Sequence, residues 1–158
     1  MGTRLSGKVA VVIGAGQSPG TGMGNGRATA VLFAREGAKV LAVDRDAASA
    51  AETVKLIRDE GGTAESFQAD VTREDQLQAC MADCVQRWGR LDVLHNNVGI
   101  SVSGGDASPT EITEAAFDLI MAVNLRGVVM ACKHALPIMR EQKSGAIVNI
   151  SSMAAIDN

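Results

Sequence analysis

The residues of this chain best placed to do chemistry are glycines. Gly14 and Gly16 follow an apolar, largely β-branched run, Lys8-Val9-Ala10-Val11-Val12-Ile13, and Gly24-Asn25-Gly26 precedes an Ala-rich helical pattern, Arg27 to Arg35. An almost unbroken apolar run fits a strand buried on both faces. Strand, glycine turn and helix N-terminus together make an anion site. Glycine lets the backbone come close to a ligand, while free N–H groups and the positive end of the helix dipole face its charge. Gln17 and the residues to Met23 lie inside the turn and lengthen it. A pyrophosphate suits this arrangement; the alternative is a glycine-rich turn that holds no ligand.

Asp44 closes the next apolar run, Lys39 to Val43, about 20 residues past the last glycines of the turn, the spacing of a dinucleotide-binding fingerprint. A carboxylate there accepts both hydroxyls of an adenine ribose and repels a 2′-phosphate, which favours NAD over NADP. Arg45 beside it keeps NADP open, because a guanidinium can hold that phosphate. Asp70-Val71-Thr72 reads either as a ligand edge or as a strand end with a helix cap at Thr72. Asn96-Asn97-Val98-Gly99 is more pointed, since consecutive asparagines after a buried strand are costly unless their amides are satisfied. Gly99 there permits close approach to a flat ligand. Asn124, early in a long apolar helix, is a further polar group in want of a reason, with a surface position as the alternative. Ser151 and Ser152 follow the last apolar run, with no base near them in sequence and hence no nucleophile reading.

Alternating strand and helix patterns position these groups. Strands are expected at 8–13, 39–43, 64–69, 91–95 and 145–150, and helices at 27–36, 46–60, 72–88, 111–121 and 124–142. Pro137 is expected to kink the last helix or end its regular part. Such alternation specifies an α/β fold, a Rossmann-like doubly wound parallel sheet with right-handed crossovers and helices on both faces. Ligands of these sheets bind beyond the carboxyl ends of the strands, and all five ends here carry glycine or polar residues. No internal repeat or linker divides the chain, so residues 1–158 are expected to form a single domain.

Composition narrows the function classes. With net charge −3 and no basic stripe, nucleic-acid and membrane partners are not expected. No run reaches the roughly 18 apolar residues of a membrane span, and the N-terminus has no secretory h-region. The three cysteines are odd in number; Cys80 and Cys84 share a helix face without further ligands nearby, which reads as buried reduced thiols and no metal site. His95 and His134 stand apart from them and from each other, so core or surface histidine is the default. A cytoplasmic location is expected.

Taken in order, the motifs resemble those of the short-chain dehydrogenase/reductase family, main branch. Leu5-Ser6-Gly7-Lys8-Val9-Ala10 looks like its N-terminal opening, Gly14 to Gly26 resembles its Thr-Gly-x-x-x-Gly-x-Gly loop, and Asn96-Asn97-Val98-Gly99 resembles its Asn-Asn-Ala-Gly motif. The resemblance implies that Gly14, Gly16, Gln17, Gly24, Asn25 and Gly26 cradle the pyrophosphate of NAD. It implies too that Asp44 and Arg45 meet the adenosine ribose, Asp70 and Val71 the adenine, and Asn97, Val98 and Gly99 the rest of the cofactor. Asn124 would organise a proton-relay water, and Ser152 would hydrogen-bond the oxygen of an alcohol or carbonyl substrate. The implied activity is hydride transfer between nicotinamide and that small molecule, in a homo-oligomer once the chain is complete.

Three departures qualify this. Ile13 replaces the threonine before the first glycine, the loop is longer than the pattern, and the chain holds no tyrosine. The family's Tyr-x-x-x-Lys pair would stand beyond Asn158. The domain is therefore expected to be incomplete at its C-terminus, and these 158 residues alone are expected to have negligible turnover. Two alternatives stay open: a non-catalytic dinucleotide-binding or interaction module, and a methyltransferase that uses the glycine loop and Asp44 for S-adenosylmethionine.

Overall fold

A computed structural model of the chain describes residues 2–17, 20 and 22–152. Strand β1 (Val9–Ile13) is buried at every residue, as its apolar run requires. Then follow α1 (Asn25–Arg35), β2 (Lys39–Asp44), α2 (Ala47–Asp59), β3 (Thr63–Gln68), α3 (Glu74–Trp88), β4 (Val93–Asn96), α4 (Glu114–Met121), α5 (Gly127–Gln142) and β5 (Ala146–Asn149). All strand pairs are parallel, and the sheet order is β3-β2-β1-β4-β5. The order reverses at β1, whose neighbours are β2 on one side and β4 on the other. That is where a parallel sheet opens a crevice beyond its carboxyl ends.

Side chains alternate across the sheet and build two cores. On one face Val9, Val11, Ile13, Leu41, Val43 and Leu94 pack with Leu77, Cys80 and Met81 of α3 and with Ala131, Ala135 and Met139 of α5. On the other, Val12, Val40 and Ala42 meet Ala30, Val31 and Ala34 of α1 and Val54 and Ile57 of α2. Both thiols of α3 thus lie in the core. The expected doubly wound α/β layer is present. β5 is covered far less: Val148 is 42% exposed, and Ile150 just beyond the strand 48%.

Local chemistry sets the boundaries. Asp46 caps α2, its carboxylate accepting from the N–H groups of Ala48 and Ser49. Gly89 ends α3 in a left-handed conformation, φ 75°. Thr72 does not cap α3. Its N–H and hydroxyl both donate to Asp70 Oδ1 at 2.8 and 2.7 Å, and Arg73 takes the N-cap position without a side-chain bond. An aspartate two residues earlier has captured the groups a cap would use.

Residues 114–142 form one uninterrupted helical stretch rather than two helices, with α4 beginning at Glu114 behind a Thr113 cap. Ala122–Arg126 is a π-turn that joins α4 to α5. Pro137 neither ends α5 nor stands near its end; the helix continues to Gln142. Pro137 and Lys133, whose carbonyl loses its helical donor to the proline, both lie on the exposed side, where water can replace the bond. By length and composition this stretch is long and apolar enough to cross a membrane, although polar residues interrupt its apolar ones. Its α5 portion packs on α3 and β4 as one layer of the sheet.

Candidate functional site

The crevice is built first from close backbone approaches. Gly14 turns the chain at φ +81°, donating its N–H to Val43 O of β2 at 2.8 Å. A Cβ there would lie 2.8 Å from Val98 Cγ2. Gly26 brings the first turn of α1 against the same glycine, so close that a Cβ would sit 1.8 Å from Gly14 O. Asn97, after β4, donates through Nδ2 to that carbonyl at 3.2 Å. Gly14, Gly26 and Asn97 therefore meet at the switch point, while Val98 packs against Gly14 from the β4 side.

Gly16 carries the loop to β2: its N–H donates to Asp44 Oδ2 at 2.9 Å, and Asp46 N–H donates to Asp44 Oδ1 at 3.0 Å. A carboxylate has about four lone-pair sites, so both oxygens keep capacity for the hydroxyls of a ribose. Arg45 is exposed beside it, and its charge acts on Asp70 across the β2–β3 ends. Burial pushes the Asp70 carboxyl up, but the Thr72 bonds and the charges of Arg45 and Arg73 more than reverse this, leaving it below the usual carboxylate range. Val71 is packed beneath the start of α5, where a Cβ at Gly127 would come within 3.0 Å of it.

The lengthened loop is folded back by Gln17. Its Nε2 donates to Gly22 O at 2.8 Å, and its Oε1 accepts from Gly24 N–H at 2.7 Å. Gly24 is the extended N-cap of α1, with no side chain to cap it and no acidic residue in the first turn. Among the described residues no side chain fills this helix end, which suits an anion from outside. Of the loop, Ser18, Pro19 and Thr21 lie outside the described residues. Asn25 and Asn97 also line a cavity of about 310 Å³ between α1, His95 and Ile150.

Asn124 stands in the π-turn. Its Oδ1 accepts from Ile100 N–H at 2.9 Å and its Nδ2 donates to Ile100 O at 2.8 Å, so the side chain closes a two-point clamp on the segment after Gly99. Among the described residues a Cβ at Gly99 would meet only Asn124 Oδ1, at 3.7 Å, leaving an open face for a ligand. Asn96 turns into the sheet and donates to Asn149 Oδ1 at 2.8 Å. Ser151 and Ser152 follow β5 and are exposed.

Sequence reasoning missed Arg27, Ser49 and Thr53. The sequence carried only a partial signal, two hydroxyls at helical spacing on α2 and an arginine directly after Gly26; that they meet at the loop comes from the packing of α1 on α2. Gln17 N–H donates to Ser49 Oγ at 2.6 Å, and Thr53 Oγ1 donates to Ala15 O at 2.7 Å. The histidines answer their default reading. His95 is 5% exposed, stacks edge-on against Phe33 and is held below its ordinary pKa by burial, while His134 bonds Glu74 on the helix surface.

The short chain dehydrogenase family model matches residues 8–158. The chain belongs to the short-chain dehydrogenase family. It is 37% identical over 153 residues to the 3-oxoacyl-[acyl-carrier-protein] reductase of Thermotoga maritima, covering 97% of this chain and 58% of that one. A solved structure from Burkholderia xenovorans, described as a short-chain dehydrogenase/reductase, superposes with TM-score 0.92 at 46% identity over 99% of this chain and 60% of the other. A 7α-hydroxysteroid dehydrogenase complexed with NADH and 7-oxo glycochenodeoxycholic acid gives TM-score 0.88 at 32% identity, over 98% and 57%. The chain spans about half the length of the curated relatives it matches. As a short-chain dehydrogenase it has the sheet order and the glycine crevice in one place, which accounts for the family motifs at Gly14 to Gly26 and Asn96 to Gly99.

Proposed function

We propose that this chain is the dinucleotide-binding portion of an oxidoreductase that passes hydride between NAD and a small alcohol or ketone. The observation that carries the reading is Asp44, held by Gly16 N–H at 2.9 Å so that the loop and the ribose-accepting carboxylate form one rigid edge. The uncapped N-terminus of α1 faces the pyrophosphate, and Gly99 leaves room for the planar part of the cofactor. Gly14, Gly16, Gln17, Gly24, Asn25 and Gly26 contribute backbone and amide contacts. Asp44 takes the ribose hydroxyls and repels a 2′-phosphate; Asp70 and Val71 border the adenine; Asn97 and Val98 complete the wall. Exposed Arg45 tempers the repulsion by its charge without reversing it.

The nicotinamide, when bound, supplies or takes up hydride. The residues of this chain orient and exclude. Asn124 fixes the backbone at Ile100 and holds the floor of the crevice beside Gly99, and Ser152 offers a hydroxyl to the substrate oxygen. No tyrosine stands among the 158 residues, so the proton for that oxygen is not donated by a tyrosine of this segment. Unpaired Cys80, Cys84 and Cys132 suit a reducing compartment, and we place the protein in the cytoplasm.

Calorimetric titration with NAD, NADP and S-adenosylmethionine tests this. Binding of NAD, weaker binding of NADP and none of S-adenosylmethionine is the expected order; binding of S-adenosylmethionine alone removes the oxidoreductase reading.

A further inference from the structure

Arg27 is a charged residue in an unexpected place. It stands in the first turn of α1, yet only 9% of it is exposed. A cation near a helix N-terminus adds to the positive end of the dipole instead of offsetting it, so α1 itself gains nothing from it. A buried guanidinium must be paired or hydrogen-bonded to be tolerated. Its bonds run to α2: Nε donates to Thr53 Oγ1 at 2.9 Å, and Nη2 donates to Ser49 O at 3.1 Å, Ser49 Oγ at 3.3 Å and Glu52 Oε2 at 3.1 Å.

Those two hydroxyls hold the glycine loop. Ser49 Oγ accepts Gln17 N–H and Thr53 Oγ1 donates to Ala15 O, on either side of Gly16, whose own N–H is on Asp44. A hydroxyl rotates freely unless its lone pairs are engaged. With Arg27 donating to both, the Thr53 proton is directed at Ala15 O and the Ser49 oxygen is presented to Gln17 N–H. Charge-assisted bonds of this kind are roughly twice as strong as neutral ones.

We propose that Arg27 is a positioning residue for the dinucleotide, acting through Ser49 and Thr53 to fix Ala15–Gln17 and adding positive potential behind the pyrophosphate side of the loop. This rests on the dinucleotide reading above. It goes beyond that reading by placing part of the binding free energy in a side chain that touches no ligand.

The test is calorimetric titration of the full chain and its variants with NAD and with adenosine. Arg27→Met is expected to weaken NAD binding about tenfold. Ser49→Ala is expected to weaken it about fivefold, the order of one lost hydrogen bond. Because Arg27 works through the hydroxyls, the combined variant should lose less than the product of the two single losses. Arg27→Lys should recover part of the loss by restoring the charge. Adenosine, which is uncharged, should lose less than NAD in Arg27→Met. If Arg27→Met does not fold, Ser49→Ala and Thr53→Val carry the same expectation. A wild-type chain that binds no dinucleotide removes the underlying function. A wild type that binds, with Arg27→Met and Ser49→Ala unchanged in affinity and lowered only in melting temperature, removes the role of Arg27 alone.

Discussion

Gly26 lies against Gly14 at a distance that admits no side chain: a Cβ would stand 1.8 Å from the Gly14 carbonyl oxygen and 2.7 Å from Asn97 Nδ2. Both atoms belong to the crevice, so Gly26→Ala must displace α1, β1's end or Asn97. The intrinsic helix preference for alanine, about 1 kcal/mol, does not offset about 1–3 kcal/mol of overpacking. We expect a lower melting temperature and loss of measurable NAD binding. Gly22→Ala, with nothing within 4 Å among the described residues, is the control and should leave both unchanged.

Asp44 accepts one backbone N–H on each oxygen, from Gly16 and from Asp46. An amide accepts on one atom only, so Asp44→Asn sets its NH₂ against one of those donors. NAD affinity should fall by about tenfold or more, and the preference over NADP should shrink as the negative charge goes. Parallel titrations with the two dinucleotides measure both effects; an unchanged ratio of affinities is the contrary outcome.

Asp92 supplies the pH dependence. Burial raises its carboxyl, but two bonds from Arg90 at 2.7 and 2.6 Å, Val9 N–H at 2.9 Å and the charges of Arg90 and Lys8 bring it below the ordinary value. A group whose folded pKa is depressed adds stability that is complete above its unfolded pKa, about 3.9, and is lost as pH falls through the folded value. The protein should therefore keep this contribution at neutral pH and lose it below about pH 4. Arg90→Met should move the onset of acid destabilisation to higher pH, read by urea unfolding between about pH 3 and 7.

The thiols should differ in reactivity. Burial, with the nearby Asp83 and Asp92 charges, pushes Cys84 up to about 12, and Cys80 is raised further by burial and by Cys84. Neither presents thiolate at neutral pH. Cys132 is partly exposed and should take up iodoacetamide first, slowly, with Cys80 and Cys84 labelled only after unfolding. Peptide mass spectrometry after timed labelling gives the order.

Catalysis should be absent from the 158 residues expressed alone, even where NAD binds. Loss of a general acid typically costs about 10²–10⁴ in rate. Absorbance at the reduced nicotinamide band, followed with a panel of alcohols and ketones, should show no change above the uncatalysed background.

The strands, the sheet class and the crevice were legible because they rest on local signals: an apolar run ending in glycine, and an acidic residue closing the next strand. Gly14, Asp44 and Asn97 converge because parallel strands in register bring their carboxyl ends to one edge, which pattern alone dictates. Thr72 misled because its cap was pre-empted by Asp70, a competition between two short-range bonds that residue type does not rank. Pro137 does not end α5, because its cost depends on whether the freed carbonyl meets water, and that is a matter of tertiary exposure. Arg27, Ser49 and Thr53 went unread because an arginine after a glycine turn is ordinary as sequence. Only packing α1 on α2 makes it a buried tie.

The π-turn at Ala122–Arg126 sets the phase between two halves of one long helix. It takes up one extra residue in a single widened turn. Removing one residue there would restore α-helical bonding and leave both halves close to their present faces, while the residues inside the turn would shift around the axis. The stripe of Ala131, Ala135 and Met139 would stay on the sheet, and Asn124, inside the turn, would lose its two bonds to Ile100. The clamp on Ile100 thus depends on the residue count of this short stretch as well as on the asparagine within it.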